Sequence, residues 1–194
     1  MKKTCDCQNL FDFNHVKEHI VYKLIRRDAN EELLKQIPYE SFLDLAVVYY
    51  IQIDNTCFGS AAIQIRNEHL RYWRVEKEEI RRLAEKNTPR IYPVQIRQIV
   101  RFMYVATNEQ CSLGAAVMRY PDFREKVRGM IRGDFYILPS SIHEVILVPE
   151  SFGLEPERMQ EMVKEINQTG VAPEEVLSDS VYYFDGEEIR IVAK

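Results

Sequence analysis

The sequence predicts an α+β domain with a mainly antiparallel sheet, built from β-hairpins, and with helices packed on one face of that sheet. Segments rich in aromatic and branched residues occur in pairs joined by short polar links, and single helical segments separate the pairs. A chain of 194 residues with 46% hydrophobic content can also bury one substantial core. We therefore expect a single domain over residues 1–194, with residues 1–11 as a mobile N-terminal segment.

An amphipathic helix is predicted over residues 12–27, where apolar residues recur at helical spacing after Asp12, a residue type that favours helix starts. These residues are Phe13, Val16, Ile20 and Leu24. Two strand-like segments come next, residues 42–53 and residues 61–65, with the polar run 54–59 between them. This arrangement predicts a hairpin with a longer loop.

The middle of the chain predicts two helices and a strand. The first helix begins near Glu76, because the acidic residues of its first turn suit the helix dipole, and ends at Asn87-Thr88-Pro89. Residues 102–107 predict a strand, whereas the short apolar run 113–120 fits a buried strand and a helix equally well. The second helix starts at Pro121, ends before Gly133 and has an apolar face formed by Phe123, Val127, Met130 and Ile131.

The last third of the chain predicts two strand pairs with one helix between them. That helix starts at Pro156 and ends at Gly170. Its apolar face consists of Met159, Met162, Val163 and Ile166, at positions i, i+3, i+4 and i+7. The two-residue link Asp185-Gly186 gives the strongest short-range hairpin signal of the sequence. The four strands are residues 135–138, 145–149, 181–184 and 189–192.

Composition excludes several classes of protein. No stretch reaches the roughly 18 apolar residues that span a bilayer, and the first residues lack the apolar core of a secretory signal, so we expect a cytoplasmic protein without membrane contact. The chain has seven glycines but no phosphate loop or dinucleotide fingerprint, and we expect no cofactor. Its cysteines do not form a spaced framework, which favours reduced thiols. They are Cys5, Cys7, Cys57 and Cys111.

Charge is unevenly distributed along the chain. Residues 90–132 contain eight basic and three acidic residues, whereas residues 133–194 contain four basic and thirteen acidic residues. The acidic last third argues against a surface that binds nucleic acid. We therefore expect a protein or a small ligand as the partner, and an exposed edge strand could also support a homo-oligomer.

The polar link after the predicted strand 135–138 carries the residue types of an acyl-transfer site. In a hydrolase, Ser140 or Ser141 would be the nucleophile, His143 the base, and Glu144 or Asp179 the orienting partner. If His143 begins a strand, however, Glu144 points to the opposite face, and neither serine lies in a Gly-x-Ser-x-Gly elbow. The other interpretation is a polar turn whose hydroxyl groups bond the backbone.

Residues 15–19 match the His-x-x-Glu-His pattern of inverted zinc peptidases. In that pattern His15 and His19 would bind the metal from one face of a helix, and Glu18 would activate water. A catalytic zinc requires a third protein ligand, and the sequence offers no second motif that would supply one. We therefore interpret these residues as a solvated flank of the predicted first helix, and we predict no metal site.

Four blocks carry a resemblance to a known family: FLDLAVVYY at residues 42–50, LAEKNTPR at 83–90, LPSSIHEVI at 138–146 and VAPEEVLSDSVY at 171–182. In this order they resemble the recurring blocks of an uncharacterised bacterial family, domain of unknown function 5688, which is common in clostridia and their gut relatives. The resemblance covers most of residues 12–192 and implies no activity, substrate or cofactor. Members of that family usually carry a further N-terminal region, so we expect a shortened member or a fragment.

Two functional hypotheses follow from the sequence. The absence of a complete catalytic set favours a noncatalytic cytoplasmic binding or regulatory module. The alternative is a hydrolase that uses Ser140 or Ser141 together with His143. Convergence of Ser141, His143 and an acid in a cleft would favour the enzyme, whereas a polar hairpin link away from any pocket would favour the module.

Overall fold

The computed structural model describes Leu10, residues 12–55 and residues 59–194. Over these residues the chain is an α+β fold with two antiparallel sheets, one of four strands and one of six. The predicted fold class is therefore confirmed. Three of the four cysteines lie outside the described residues, namely Cys5, Cys7 and Cys57.

The four-stranded sheet is organised around β3, its longest strand. β1 pairs with one edge of β3, while β2 and β4 pair with successive parts of the other edge. The predicted hairpin around residues 54–59 is confirmed by the pairing of β3 with β4. The strands are β1 (Ile20–Arg26), β2 (Tyr39–Phe42), β3 (Leu45–Asn55) and β4 (Gly59–Gln64).

The predicted helix over residues 12–27 is wrong beyond its first turn. α1 covers Phe13–Val16, a 3-10 turn covers Lys17–His19, and β1 follows directly. Side chains on both faces of β1 are buried. A strand that is buried on both faces has apolar residues at nearly every position. Ile20 and Leu24 therefore match helical spacing only because most residues of this run are apolar.

A long helix, α4 (Lys77–Ile91), covers the free edge of β1. The Asn87 side chain donates to the carbonyls of Lys17 and Ile20 over 2.8 and 3.0 Å, and the Tyr22 N–H donates to Thr88 Oγ1 over 3.0 Å. The prediction that Asn87-Thr88-Pro89 end this helix is wrong. These side chains satisfy unpaired backbone groups at the edge of β1 from within the helix, which continues past Pro89 to Ile91.

The six-stranded sheet has the order β10-β9-β7-β8-β6-β5. The predicted strands near 102–107, 135–138, 145–149, 181–184 and 189–192 are confirmed, whereas β5 is an additional edge strand. The predicted two-residue link at Asp185-Gly186 is wrong, because Phe184 pairs with Ile189 and four residues connect them. The strands are β5 (Val94–Val100), β6 (Met103–Asn108), β7 (Phe135–Leu138), β8 (Val145–Pro149), β9 (Val181–Phe184) and β10 (Ile189–Ala193).

The remaining helices are shorter, with one exception. The ambiguous run 113–120 forms a 3-10 helix over Gly114–Arg119. α6 is confirmed as a long helix, but its buried face is Met159, Val163 and Asn167, whereas Ile166 is 50% exposed. The other helices are α2 (Glu31–Leu34), α3 (Asn67–Trp73), α5 (Phe123–Arg128) and α6 (Pro156–Thr169).

One buried cluster contains side chains from both sheets and fills the space between them. Tyr22 and Leu45 contribute from the four-stranded sheet, and Phe135 and Tyr182 contribute from the six-stranded sheet. Within the described ranges, no helix is long and apolar enough to cross a membrane. Residues that are far apart in the sequence thus meet where the two sheets pack together.

Candidate functional site

The link between β7 and β8, residues 139–144, is held by backbone hydrogen bonds to the segment that precedes β9. The Ser140 carbonyl accepts the Leu177 N–H at 3.0 Å, and the Ile142 N–H donates to the Glu175 carbonyl at 2.9 Å. Ser141 also forms an isolated antiparallel bridge with Val176. This β7–β8 link is therefore part of the backbone pairing of the fold.

The two ring nitrogens of His143 both have partners. Nδ1 accepts the backbone N–H of Leu113 at 3.2 Å, and Nε2 lies 3.2 Å from Glu175 Oε1. One neutral tautomer, with the proton on Nε2, satisfies both contacts. The Ser141 hydroxyl accepts a hydrogen bond from the backbone N–H of His143 at 3.1 Å. This bond is to the backbone of His143 and not to its ring. Glu144 is half-buried. The carboxylate that contacts the His143 ring belongs to Glu175.

Close packing around Gly114 fixes the position of the β7–β8 link. Thr107 Oγ1 donates to the His143 carbonyl at 2.8 Å directly beside this glycine. A Cβ atom on Gly114 would lie 2.0 Å from Thr107 Oγ1 and 2.4 Å from the His143 carbonyl oxygen. Only glycine leaves room for this approach, because any side chain would overlap the two oxygens.

Asp179, the other predicted partner of His143, lies in a different place. Its carboxylate contacts Arg26 Nη1 at 2.9 Å and accepts from Asn167 Nδ2 at 2.8 Å. Arg26 also binds Asp28 through Nε at 2.8 Å. Asp28 and Asp179 thus hold the Arg26 guanidinium in one orientation, and these hydrogen bonds raise the pKa of Arg26.

These residues line a cleft where the end of β1 meets α6 and the segment before β9. It consists of a wider cavity of about 850 Å³ and a narrower cavity of about 260 Å³. We call the two together the seam cleft. The residues that line both of its parts are Arg26, Asp28, Lys164 and Asp179.

Asp44 closes the inner wall of the narrower part and connects the two sheets. It lies in the tight turn between β2 and β3, where Leu43 has a φ of 56°. Its carboxylate accepts hydrogen bonds from the hydroxyl groups of Ser178 at 2.6 Å, Ser180 at 2.8 Å and Tyr182. Burial and the negative charge of Asp44 raise the pKa of Tyr182, which keeps its hydroxyl protonated as a donor.

Among the residues of the seam cleft, only Asp179 is a site residue that the sequence predicted. One signal was present for Asp44, because a carboxylate inside an apolar run, between Leu43 and Leu45, requires hydrogen-bond donors. Arg26 and Asn167 gave no such signal, since a basic residue at a strand end and an amide in an amphipathic helix are common. Their meeting depends on tertiary structure alone.

That residues 15–19 form no metal site stays a prediction. α1 ends at Val16, and the 3-10 turn Lys17–His19 separates His15 from His19, so no continuous α-helix presents the two imidazoles. Glu18 lies 3.9 Å from Arg90 at the surface. In the part of the chain that the structure describes, no group of three or more His, Cys, Asp or Glu residues could hold a metal ion.

Comparison with known proteins gives a family match without an activity. The model of a family described as "Family of unknown function (DUF5688)" matches residues 1–103 and 100–186. No curated protein and no solved structure matches the chain. The chemistry of the seam cleft must therefore be argued from its own residues.

Proposed function

We propose that this chain, which belongs to the DUF5688 family of unknown function, is a noncatalytic binding or regulatory module with its ligand site in the seam cleft. The observation that carries the proposal is the ordered polar wall of that cleft. Arg26 is fixed by Asp28 and Asp179, and Asn167 is fixed by hydrogen bonds to Asp179 and to the Ser178 carbonyl. Polar groups that are already oriented lose little entropy when a ligand binds.

The contacts of the β7–β8 link favour this proposal over the hydrolase. A histidine that activates a serine needs a free ring nitrogen within hydrogen-bond reach of the serine hydroxyl. The Nδ1 atom of His143 already accepts a backbone N–H, and Nε2 faces Glu175. Asp179 is bound to Arg26 and does not orient this ring. These residues support the local fold instead of forming a nucleophile and base.

The expected partner is a small ligand or a short protein segment that fits the seam cleft. We propose a cytoplasmic location as well, because Cys111 is an exposed free thiol, the form that reducing compartments maintain. A regulatory role would follow if ligand binding moved β1 relative to α6, since residues of both elements line the cleft.

A fragment screen by ¹H–¹⁵N NMR tests the proposal directly. The library should contain anionic, neutral and cationic fragments in equal numbers, and the same protein should be incubated with a fluorophosphonate probe for reactive serines. We expect the fragments that bind to perturb the amides of residues 26–29 and 164–180. We also expect no covalent labelling of Ser140 or Ser141.

Two results would overturn the proposal. Fragment binding that clusters elsewhere on the surface would remove the seam cleft as the site. Fluorophosphonate labelling of Ser140 or Ser141 that disappears in His143→Ala, while the variant stays folded, would restore the hydrolase hypothesis.

A further inference from the structure

Three basic residues at the narrower part of the seam cleft differ from Arg26 in their contacts. Arg27, Lys164 and Lys194 line this cavity together with Arg26. Arg26 makes ion pairs with two carboxylates, whereas none of the other three makes an ion pair with another described residue. No ion pair with a described residue therefore has to break before these three cations contact an anion.

The carboxylates of the same cavity are already engaged. Asp44 accepts hydrogen bonds from three hydroxyl groups, and Asp28 and Asp179 are both paired with Arg26. The lining thus contains four basic and three acidic side chains, and each acidic one already has a hydrogen-bond or ion-pair partner, although Asp28 is exposed. An anion that enters the cavity would meet cations without having to displace these bonds.

The wider part of the cleft has a different lining. Beyond the four shared residues, its lining consists of the amides Asn167 and Gln168 and of four apolar side chains. These side chains are Ala29, Val171, Pro173 and Val176. A ligand that extends from the narrow part into the wide part would therefore place a charged group against the basic residues and an apolar group against these apolar side chains.

We infer that the ligand of the seam cleft is a phosphorylated small molecule, whose phosphoryl group is bound by Arg27, Lys164 and Lys194 and whose apolar part lies against Val171 and Val176. This inference rests on the proposed function. Lysine and arginine bind phosphate through charge-assisted hydrogen bonds, and three cations that make no ion pair with a described residue suit a group that carries two negative charges better than a single carboxylate.

Titration of the full chain with four probes tests this inference. The probes are inorganic phosphate, phenyl phosphate, benzoate and phenol, each followed by ¹H–¹⁵N NMR at low and at physiological salt. We expect phenyl phosphate to bind most tightly, to perturb residues 26–29 and 164–180, and to bind more weakly at the higher salt concentration. Inorganic phosphate should perturb only the narrower part, because it lacks the apolar group.

Variants of single basic residues provide the matched controls. Lys164→Gln and Arg27→Gln should each weaken phenyl phosphate binding by about tenfold, since each removes one charge-assisted contact. Lys86→Gln is the control, because Lys86 is also an exposed lysine on a helix but does not line the cleft. The amide spectra of the variants away from the cleft should match that of the wild-type protein.

The possible failures are distinguishable. If benzoate binds as tightly as phenyl phosphate, the phosphoryl assignment is wrong and the cleft selects a carboxylate. If phenol perturbs the cleft as strongly as phenyl phosphate, the inference of an anionic ligand is wrong while the proposed binding site stands. The same conclusion follows if Lys164→Gln binds phenyl phosphate as tightly as Lys86→Gln does. If no probe and no fragment of the screen perturbs the cleft, both the inference and the proposed function fail.

Discussion

The β7–β8 link and the seam cleft use polar residues in opposite ways. In the link, Ser141 and His143 bond backbone N–H groups, and Gly114 leaves room for Thr107 beside the His143 carbonyl. In the cleft, Arg26 and Asp179 fix one another, while Arg27 and Lys164 line the cavity without an ion pair among the described residues. Residue types that suggest catalysis in the sequence thus make contacts within the fold, and common surface residues line the candidate site.

In this chain, charged groups without an ion-pair partner among the described residues indicate a binding site better than the residue types alone. A histidine with both nitrogens engaged cannot accept a further proton without losing a contact. A lysine in a cleft without a carboxylate partner keeps its donors for a ligand. Substitutions in the two regions should therefore differ in how much they lower the free energy of unfolding.

Gly114→Ala should produce the largest loss of stability. The new Cβ atom would overlap Thr107 Oγ1, the His143 carbonyl oxygen and the Asn108 nitrogen, so the backbone around the β7–β8 link must move. We expect the free energy of unfolding to fall by about 3 kcal/mol, measured by urea denaturation. Gly129→Ala is the control, since Gly129 is at a helix end with φ −65° and its nearest contact is 3.3 Å. Equal stability of the two variants would show that the link is not tightly packed.

Asp44→Ala should be the next most destabilising change. It leaves the hydroxyl groups of Ser178, Ser180 and Tyr182 without their common acceptor, and a hydrogen bond to a charged group contributes about 1.5–3 kcal/mol. We expect a loss of about 2 kcal/mol by urea denaturation, and a smaller loss for Asp44→Asn, which keeps one acceptor oxygen. Asp28→Ala, which removes an exposed carboxylate, should cost less than about 1 kcal/mol. The same loss in both alanine variants would argue against a special role for Asp44.

Alkaline pH should lower the free energy of unfolding through the ionisation of Tyr182. Burial and Asp44 raise the pKa of this residue above its ordinary value of 10.0 in the folded state. The protonated hydroxyl therefore contributes stability below about pH 10, and this contribution is lost as the pH rises, by about 1.4 kcal/mol per unit above that value. Unfolding free energies of the wild-type protein and Tyr182→Phe should be compared at pH values on both sides of 10. An identical decline in both proteins would contradict the assignment.

The basic residues of the seam cleft should have the smallest effect on stability. Lys164→Gln and Arg27→Gln break no ion pair with a described residue, so we expect changes within about 0.5 kcal/mol in urea denaturation. A loss as large as that of Asp44→Ala would show that these cations support the fold, and the contrast between the two regions would then disappear.

Strands with clear boundaries could be predicted from the sequence, and strands in less typical surroundings could not. β7 and β8 are apolar runs separated by a polar link, and α6 has a proline at its start. β1 was mistaken for a helix because it is buried on both faces. β5 was missed because it is an exposed edge strand whose alternation of apolar and polar residues covers only Val94–Arg97 and stops at Gln98, where the register becomes irregular.

The candidate site was less predictable than the fold. Arg26 and Asp179 are separated by 153 positions in the sequence, and Asp44 is separated from Ser178 by 134. No local pattern links such residues, because their contact is created only when the two sheets pack together. Ser140, Ser141 and His143 suggest a catalytic site because they are close in the sequence, whereas in the structure this link pairs through its backbone with residues 175–178.

The ring of His143 offers the most direct test of this account. Long-range ¹H–¹⁵N NMR distinguishes the two neutral tautomers of histidine from the imidazolium, and comparison with His143→Asn assigns the signals of this residue. The account predicts the Nε2–H tautomer at neutral pH, with Nδ1 as acceptor of the Leu113 N–H. An Nδ1–H tautomer would leave Nε2 available as a base, and it would contradict the structural role of the β7–β8 link.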